Sequence, residues 1–183
     1  MWIFGYGSLM FDGWESGFGS VRREWADLDG YRRVFGKKSV RNWGTRERPG
    51  LTLTLQKFDT GTCRGVAFEF PDNSAVTRTM LDYLSNREAC KPCILPVLIS
   101  GQQTVQARIY IYDGKNILDR KIGLTQRAAM VANATGTSGA CFDYVRQTFE
   151  DLASISIQDP EVTALWNAVR DLRSTTKQAA GHG

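Results

Sequence analysis

After residue 123 the hydrophobic period of this 183-residue chain turns helical for the remainder, and that change limits the folds open to it. Before it, most segments alternate with the period of strands. Leu51-Thr52-Leu53-Thr54-Leu55 alternates strictly, residues 2–6 and Tyr31–Phe35 read as short strands, and Ile94–Ile99 and Val105–Tyr112 form a further pair. After residue 123 the apolar residues recur at helical spacing to the end of the patterned sequence. No strand-helix-strand alternation is present, so a doubly wound parallel sheet is excluded. The expected class is α+β: a small antiparallel or mixed β-barrel packed by helices, with a helical C-terminal third.

The pattern also predicts the connections. Asp59-Thr60-Gly61 reads as a turn joining Leu51–Leu55 to Gly65–Phe70, and Ser100-Gly101-Gln102-Gln103 as a second hairpin turn. One helix is embedded among the strands, over residues 73–86. Val76, Met80, Leu81 and Leu84 lie on its apolar face, with Asp72 or Asn73 as N-cap. Three helices follow: Leu124–Ala134 stopped by Gly136, one capped by Ser138 that carries Phe142, Val145, Phe149 and Leu152, and one opening at Asp159-Pro160. No linker or repeat divides the chain. Residues 1–173 therefore read as a single domain, and the small, polar residues 174–183 as a disordered tail.

Composition narrows the function. With 42% hydrophobic and 23% charged residues the chain belongs to the ordinary globular class. No apolar run approaches the roughly 20 residues of a membrane span, and the first ten residues lack the charged and apolar regions of a signal peptide. The expectation is a cytoplasmic protein with no membrane partner. The net charge of +4 gathers between residues 22 and 48, in Arg22-Arg23, Arg32-Arg33, Lys37-Lys38 and Arg46-Glu47-Arg48. With no nucleic-acid recognition motif beside it, this basic stretch fits a small acidic substrate better than nucleic acid.

Several chemistries drop out. The single histidine, His182, lies in the polar tail, which removes a histidine-based nucleophilic couple and histidine-rich metal sites. There is no Walker-type loop or dinucleotide fingerprint, so no nucleotide cofactor and no metal is expected. Cys90-Lys91-Pro92-Cys93 keeps a rival open, since a Cys-x-x-Cys pair serves thiol-disulfide exchange, or zinc if Cys63 and Cys141 converge on it. Against redox use, this pair follows a helix rather than opening one.

Two features remain. The strand Trp2–Tyr6 runs into Gly7-Ser8-Leu9, and glycine-flanked residues at a strand end present backbone N–H groups suited to a carboxylate or oxyanion. Glu88 lies where the embedded helix ends, and an acidic group there opposes the helix dipole. It is locally misplaced, and either a salt bridge or a function accounts for it.

Taken in order, Tyr6-Gly7-Ser8-Leu9, Gly30-Tyr31-Arg32-Arg33-Val34-Phe35, Arg48-Pro49-Gly50-Leu51, Tyr83-Leu84 through Arg87-Glu88, and Gly139 to Tyr144 resemble the ChaC-like γ-glutamylcyclotransferases. The similarity extends from residue 2 to about residue 172. It implies a small barrel in which Tyr6, Gly7, Ser8 and Leu9 bind the γ-glutamyl group and Glu88 is the catalytic acid and base. It also implies that Tyr144 hydrogen-bonds the substrate and that Ser39 and Arg41 hold its distal carboxylate. The sequence departs from glutathione-specific members after the glutamate. Cys90-Lys91-Pro92-Cys93-Ile94 replaces a small-residue turn and a tyrosine, and Ile94 cannot donate a hydrogen bond. The amine half of the substrate therefore stays open between glutathione and other γ-glutamyl compounds.

The implied reaction needs no protein nucleophile, because the α-amine of a γ-glutamyl amide attacks its own γ-carbonyl and closes 5-oxoproline. The protein supplies a base, an oxyanion site and an acid. An ordinary glutamate lies about 3.7 pKa units below an α-amine, a mismatch of roughly 5 kcal/mol. Glu88 is therefore expected to be substantially buried, which raises its basicity. A binding module that keeps the fold but does not turn over is the remaining alternative.

Overall fold

The computed structural model describes residues 1–71 and 74–180, so Asp72, Asn73 and His182 lie outside the described residues. Contacts gather in two compact units, Met1–Arg32 with Leu55–Gly114, and Arg33–Thr54 with Lys115–Gly183. The division falls inside two long strands rather than at a linker.

The first unit carries a closed mixed barrel of five strands in the order β1-β3-β2-β4-β5. β1 (Trp2–Gly5) pairs antiparallel with β3 (Gly50–Glu69), from Trp2 opposite Glu69 to Gly5 opposite Val66. On its other side it pairs parallel with β5 (Gln103–Ile109), which closes the barrel. β2 (Arg22–Ser39) meets β4 (Cys93–Ile99) antiparallel at Ala26 opposite Ile99. Alternation points Ile3, Leu28, Val66, Phe68, Val97, Ile99, Ala107 and Ile109 inward, all at most 2% exposed.

Two expectations change here. β3 is a continuous 20-residue strand, and β2 extends over 18 residues. Asp59-Thr60-Gly61 lies within β3 and makes no hairpin turn. Gly61 is small for another reason: a Cβ there would press on the Phe58 ring and lie 3.1 Å from the Tyr31 carbonyl oxygen. It marks a close backbone approach, which sequence alone does not separate from a turn. The β4–β5 hairpin forms as expected, with Ser100 and Gly101 both at positive φ in its turn.

α1 (Ser74–Glu88) buries Met80 and Leu84 completely, whereas Val76 is 39% exposed and not part of the apolar face. The helix stops where Ala89 adopts φ +57°.

In the second unit, α2 (Leu124–Asn133) is followed by a two-stranded ribbon of β6 (Thr135–Gly136) and β7 (Gly139–Ala140), then α3 (Cys141–Ser154) and α4 (Pro160–Ala180). Ser138 belongs to the ribbon turn and does not cap α3, which begins three residues later after Ala140. Asp159 caps α4 as its place before Pro160 suggests. Its Oδ1 accepts from the Glu161 and Val162 amides at 3.1 and 3.2 Å, while its Oδ2 meets the buried Arg33 at 3.1 Å. Phe142 and Phe149 pack on Trp166 at 5.3 and 5.9 Å between ring centres. α4 continues to Ala180, so residues 174–180 are helix rather than irregular tail, and residues 181–183 lie outside the described residues.

Candidate active site

β1 delivers the chain directly into the Tyr6–Leu9 loop. A short 3₁₀ turn over Ser8–Met10 closes it, with the Met10 amide donating to the Gly7 carbonyl at 2.8 Å. Large side chains anchor the loop at both ends. Tyr6 is 8% exposed and its hydroxyl donates to the Tyr110 carbonyl at 2.8 Å. Leu9 is 5% exposed, and its carbonyl accepts from the Trp14 indole N–H at 2.9 Å. The Arg23 guanidinium holds the Met10 carbonyl at 2.6 Å. Tyr6 and Leu9 thus serve by fixing the backbone between them. Among the described residues, the amides of Gly7, Ser8 and Leu9 donate to no backbone carbonyl. Three successive N–H groups in a held loop are the kind of donors that anion-binding loops use.

Glu88 is the last residue of α1, with its side chain 24% exposed. Arg87 organises its surroundings. The Arg87 Nε lies 3.4 Å from Glu88 Oε1, its Nη2 donates to Ser8 Oγ at 3.1 Å and forms a short ion pair with Asp12, and its Nη1 donates to the Tyr83 hydroxyl at 3.3 Å. Burial works to lower the Arg87 guanidinium, but the hydrogen bonds to Asp12 and Tyr83 and the charges of Asp12 and Glu88 hold it above its ordinary value. One cation thereby joins the Tyr6–Leu9 loop to the acid at the helix end.

Adjacent residues of a helix do not normally face each other. The Arg87–Glu88 contact occurs at the terminus, where Ala89 turns the chain out of the helix. A left-handed alanine costs about 1 kcal/mol, so the rest of the site must hold it there.

Tyr110 is a further member. It is 1% exposed, and its hydroxyl donates to the Leu81 carbonyl at 3.4 Å. Burial pushes the phenol up; a hydrogen bond with Ser85 and the charge of Arg108 oppose this, and the charges of Cys90 and Glu88 add to it. The phenol is therefore a neutral hydrogen-bonding group within electrostatic range of Glu88.

The Cys90/Cys93 pair has a different character. Cys93 is exposed, its thiol donates to the Ile109 carbonyl at 3.4 Å, and burial of the sulfur followed by the Asp113 charge pushes it up. A raised thiol is a poor nucleophile at neutral pH, opposite to what a redox pair needs. Among the described residues no three His, Cys, Asp or Glu side chains gather as metal ligands. Ile94 is 57% exposed.

The remaining sequence-derived residues belong to the second unit. Tyr144, on α3, stacks on Trp43 at 5.1 Å between ring centres, meets Phe35 edge-on at 6.2 Å, and accepts from the Leu53 amide at 3.3 Å. Ser39 Oγ accepts from the Trp43 amide at 3.0 Å, which holds Trp43 against Tyr144. Arg41 is exposed, while its carbonyl accepts from the Thr137 amide at 2.8 Å. Gly136 allows this, because a Cβ there would collide with that carbonyl. Ser39 and Tyr144 thus meet through Trp43, and Arg41 belongs to the same basic loop.

Asp12, Tyr110 and Trp43 escape sequence reasoning. Asp12 is one acid in a polar loop. Tyr110 lies at the end of an alternating strand and counts there as a packing residue.

Among the described residues no helix is long and apolar enough to cross a membrane. A family profile described as ChaC-like protein matches residues 1–172. The chain is 29% identical to gamma-glutamylcyclotransferase 2-3 of Arabidopsis thaliana, covering 97% of this chain and 92% of that one. It is 28% identical to the glutathione-specific gamma-glutamylcyclotransferase of Escherichia coli (strain K12), covering 94% and 74%. The crystal structure of a yeast gamma-glutamyl cyclotransferase specific to glutathione shares its fold, with a TM-score of 0.78 at 21% identity, over 93% of this chain and 96% of that one. With the profile spanning nearly the whole sequence, this chain belongs to the ChaC-like protein family.

Proposed function

We propose that this chain is a γ-glutamylcyclotransferase, which converts a γ-glutamyl amide such as glutathione to 5-oxoproline and a free amine. The observation that carries the reading is the joint hold of Arg87 on Ser8 and Glu88, which brings an oxyanion loop and an acid-base group together. The family and the names of its relatives support the same reaction.

Glu88 takes a proton from the substrate α-amine as that nitrogen attacks the γ-carbonyl carbon. The new C–N bond closes the five-membered ring, and the carbonyl oxygen becomes an oxyanion facing the Gly7, Ser8 and Leu9 amides. Glu88 returns the proton to the leaving nitrogen as the amide C–N bond breaks. No cofactor is needed for any of these steps. Tyr6 and Leu9 hold the loop, Tyr144 binds the substrate, and Ser39 and Arg41 take its distal carboxylate. The setting in this reading is the cytoplasm, where the four cysteines stay as the free thiols seen here.

The test is 5-oxoproline release from glutathione and a panel of other γ-glutamyl compounds by wild type and Glu88→Gln. Wild type releases it and the variant, still folded, does not. Appreciable release by Glu88→Gln removes Glu88 from its role, and binding without release by wild type turns the reading into a binding module.

A further inference from the structure

The guanidinium beside Glu88 is shared. Arg87 faces two carboxylates through two nitrogens of one planar group, Glu88 at 3.4 Å from Nε and Asp12 in the shorter contact to Nη2. A cation divided between two anions favours each less than a cation given wholly to one. We propose that Asp12 is a positioning residue for Glu88: by drawing Arg87 toward the loop, it limits how strongly that cation holds the Glu88 carboxylate in its ionised form and so keeps Glu88 a competent base. This rests on the cyclotransferase reading for its role in turnover, while the coupling of Asp12 to Glu88 is open to direct measurement.

The need for such a device follows from the site. A base that must take a proton from an amine is weakened by an adjacent guanidinium. Yet Arg87 is required at the helix end, where it fastens Ser8 and offsets the α1 dipole against Glu88. Asp12 lets Arg87 keep its place with less of its field on Glu88. The groups facing Arg87 are Asp12 and Ser8 from the loop after β1, and Tyr83 and Glu88 from α1. From beyond β5, the Tyr110 phenol lies within electrostatic range of Glu88, and its other ionisable neighbours are Cys90 and Arg108. Asp12 is 37% exposed, so water screens the effect and keeps it modest.

The experiment is the pH dependence of kcat/KM for wild type, Asp12→Asn, Arg87→Met and the double variant, with the Glu88 carboxyl followed in each by carbon NMR, assigned through Glu88→Gln. Asp12→Asn moves the acid limb, and the NMR titration, to lower pH by about half a unit and lowers the plateau about threefold. Arg87→Met moves both to higher pH. The double variant matches Arg87→Met alone, since Asp12 acts only through Arg87, and Asp12→Glu restores the wild-type limb. A loss that was merely structural lowers the rate or the melting temperature and leaves the limb in place. An unmoved Glu88 titration in Asp12→Asn, or one moving the same way as in Arg87→Met, overturns the proposal. If wild type releases no 5-oxoproline, the cyclotransferase reading fails by itself, and the NMR titration still decides the coupling.

Discussion

The Tyr6 hydroxyl reaches across 104 residues of sequence to the Tyr110 carbonyl, so the residue that opens the Tyr6–Leu9 loop is fastened to a residue whose phenol feels the charge of Glu88. The loop and the acid are thereby referenced to the same barrel wall. Tyr6→Phe keeps the ring in the core and leaves a buried carbonyl without this donor, at a cost of about 1 to 2 kcal/mol in stability. Chemical denaturation should show that loss with an unchanged slope. The accompanying fall in kcat/KM should exceed that of a substitution of equal cost on α4, because Tyr6 is one of the anchors of the loop.

Ala89 offers a gain rather than a loss. Its φ of +57° is cheap only for glycine, and it ends α1 directly after Glu88. Ala89→Gly relieves about 1 kcal/mol of backbone strain, offset in part by the greater freedom of the unfolded chain. The denaturation midpoint is expected to rise slightly or hold, with 5-oxoproline release unchanged. A clear fall in midpoint would mean that the alanine methyl packs more than its conformation costs.

Cys141 predicts a pH dependence. Its thiol is wholly buried, accepts from the Leu51 amide at 3.2 Å and donates to the Leu51 carbonyl at 3.4 Å, and burial pushes it up from 9.0 to about 11. The folded state thus keeps a proton that the unfolded state loses first. That contribution is complete below pH 9 and is lost as pH rises from 9 through 11. Wild type should therefore lose up to about 2 kcal/mol more than Cys141→Ala over this window, as read by urea denaturation at each pH. Parallel curves for the two proteins would contradict the assignment.

Much of the fold and of the site is legible in the residues themselves, and the reasons are local. Met80 and Leu84 show their burial through helical spacing, and Asp159 shows its capping role by preceding Pro160. The loop and Glu88 stand out because each breaks a local rule, a strand running into glycine and an acid at the wrong end of a helix. What stays hidden depends on long-range partners. Gly61 reads as a turn until Tyr31 is known to pass beside it, and nothing near Asp12 in sequence names Arg87, 75 residues on. Val76 fits the apolar stripe by spacing alone, yet it is 39% exposed.

Gly65 tests how β1 is seated. A Cβ at this position would meet the Gly5 carbonyl oxygen and lie 2.6 Å from the Phe4 ring, the two residues that lead into the loop. Gly65→Ala forces β1 away from β3 or Phe4 out of its rotamer, either at about 1 to 3 kcal/mol. Its melting temperature should fall accordingly.

Tyr144 separates binding from packing in the second unit. Its ring is held by Trp43 and Phe35, and those contacts survive in Tyr144→Phe, which removes only the oxygen that accepts the Leu53 amide. The structural cost is then that of one orphaned amide, about 1 kcal/mol. If the hydroxyl also binds substrate, KM rises by about tenfold, the worth of a hydrogen bond to a charged group, while kcat stays within about twofold. Steady-state kinetics beside a denaturation curve tells the two apart: a stability loss with an unchanged KM makes Tyr144 a packing residue, and a raised KM at near-native stability places its hydroxyl on the substrate.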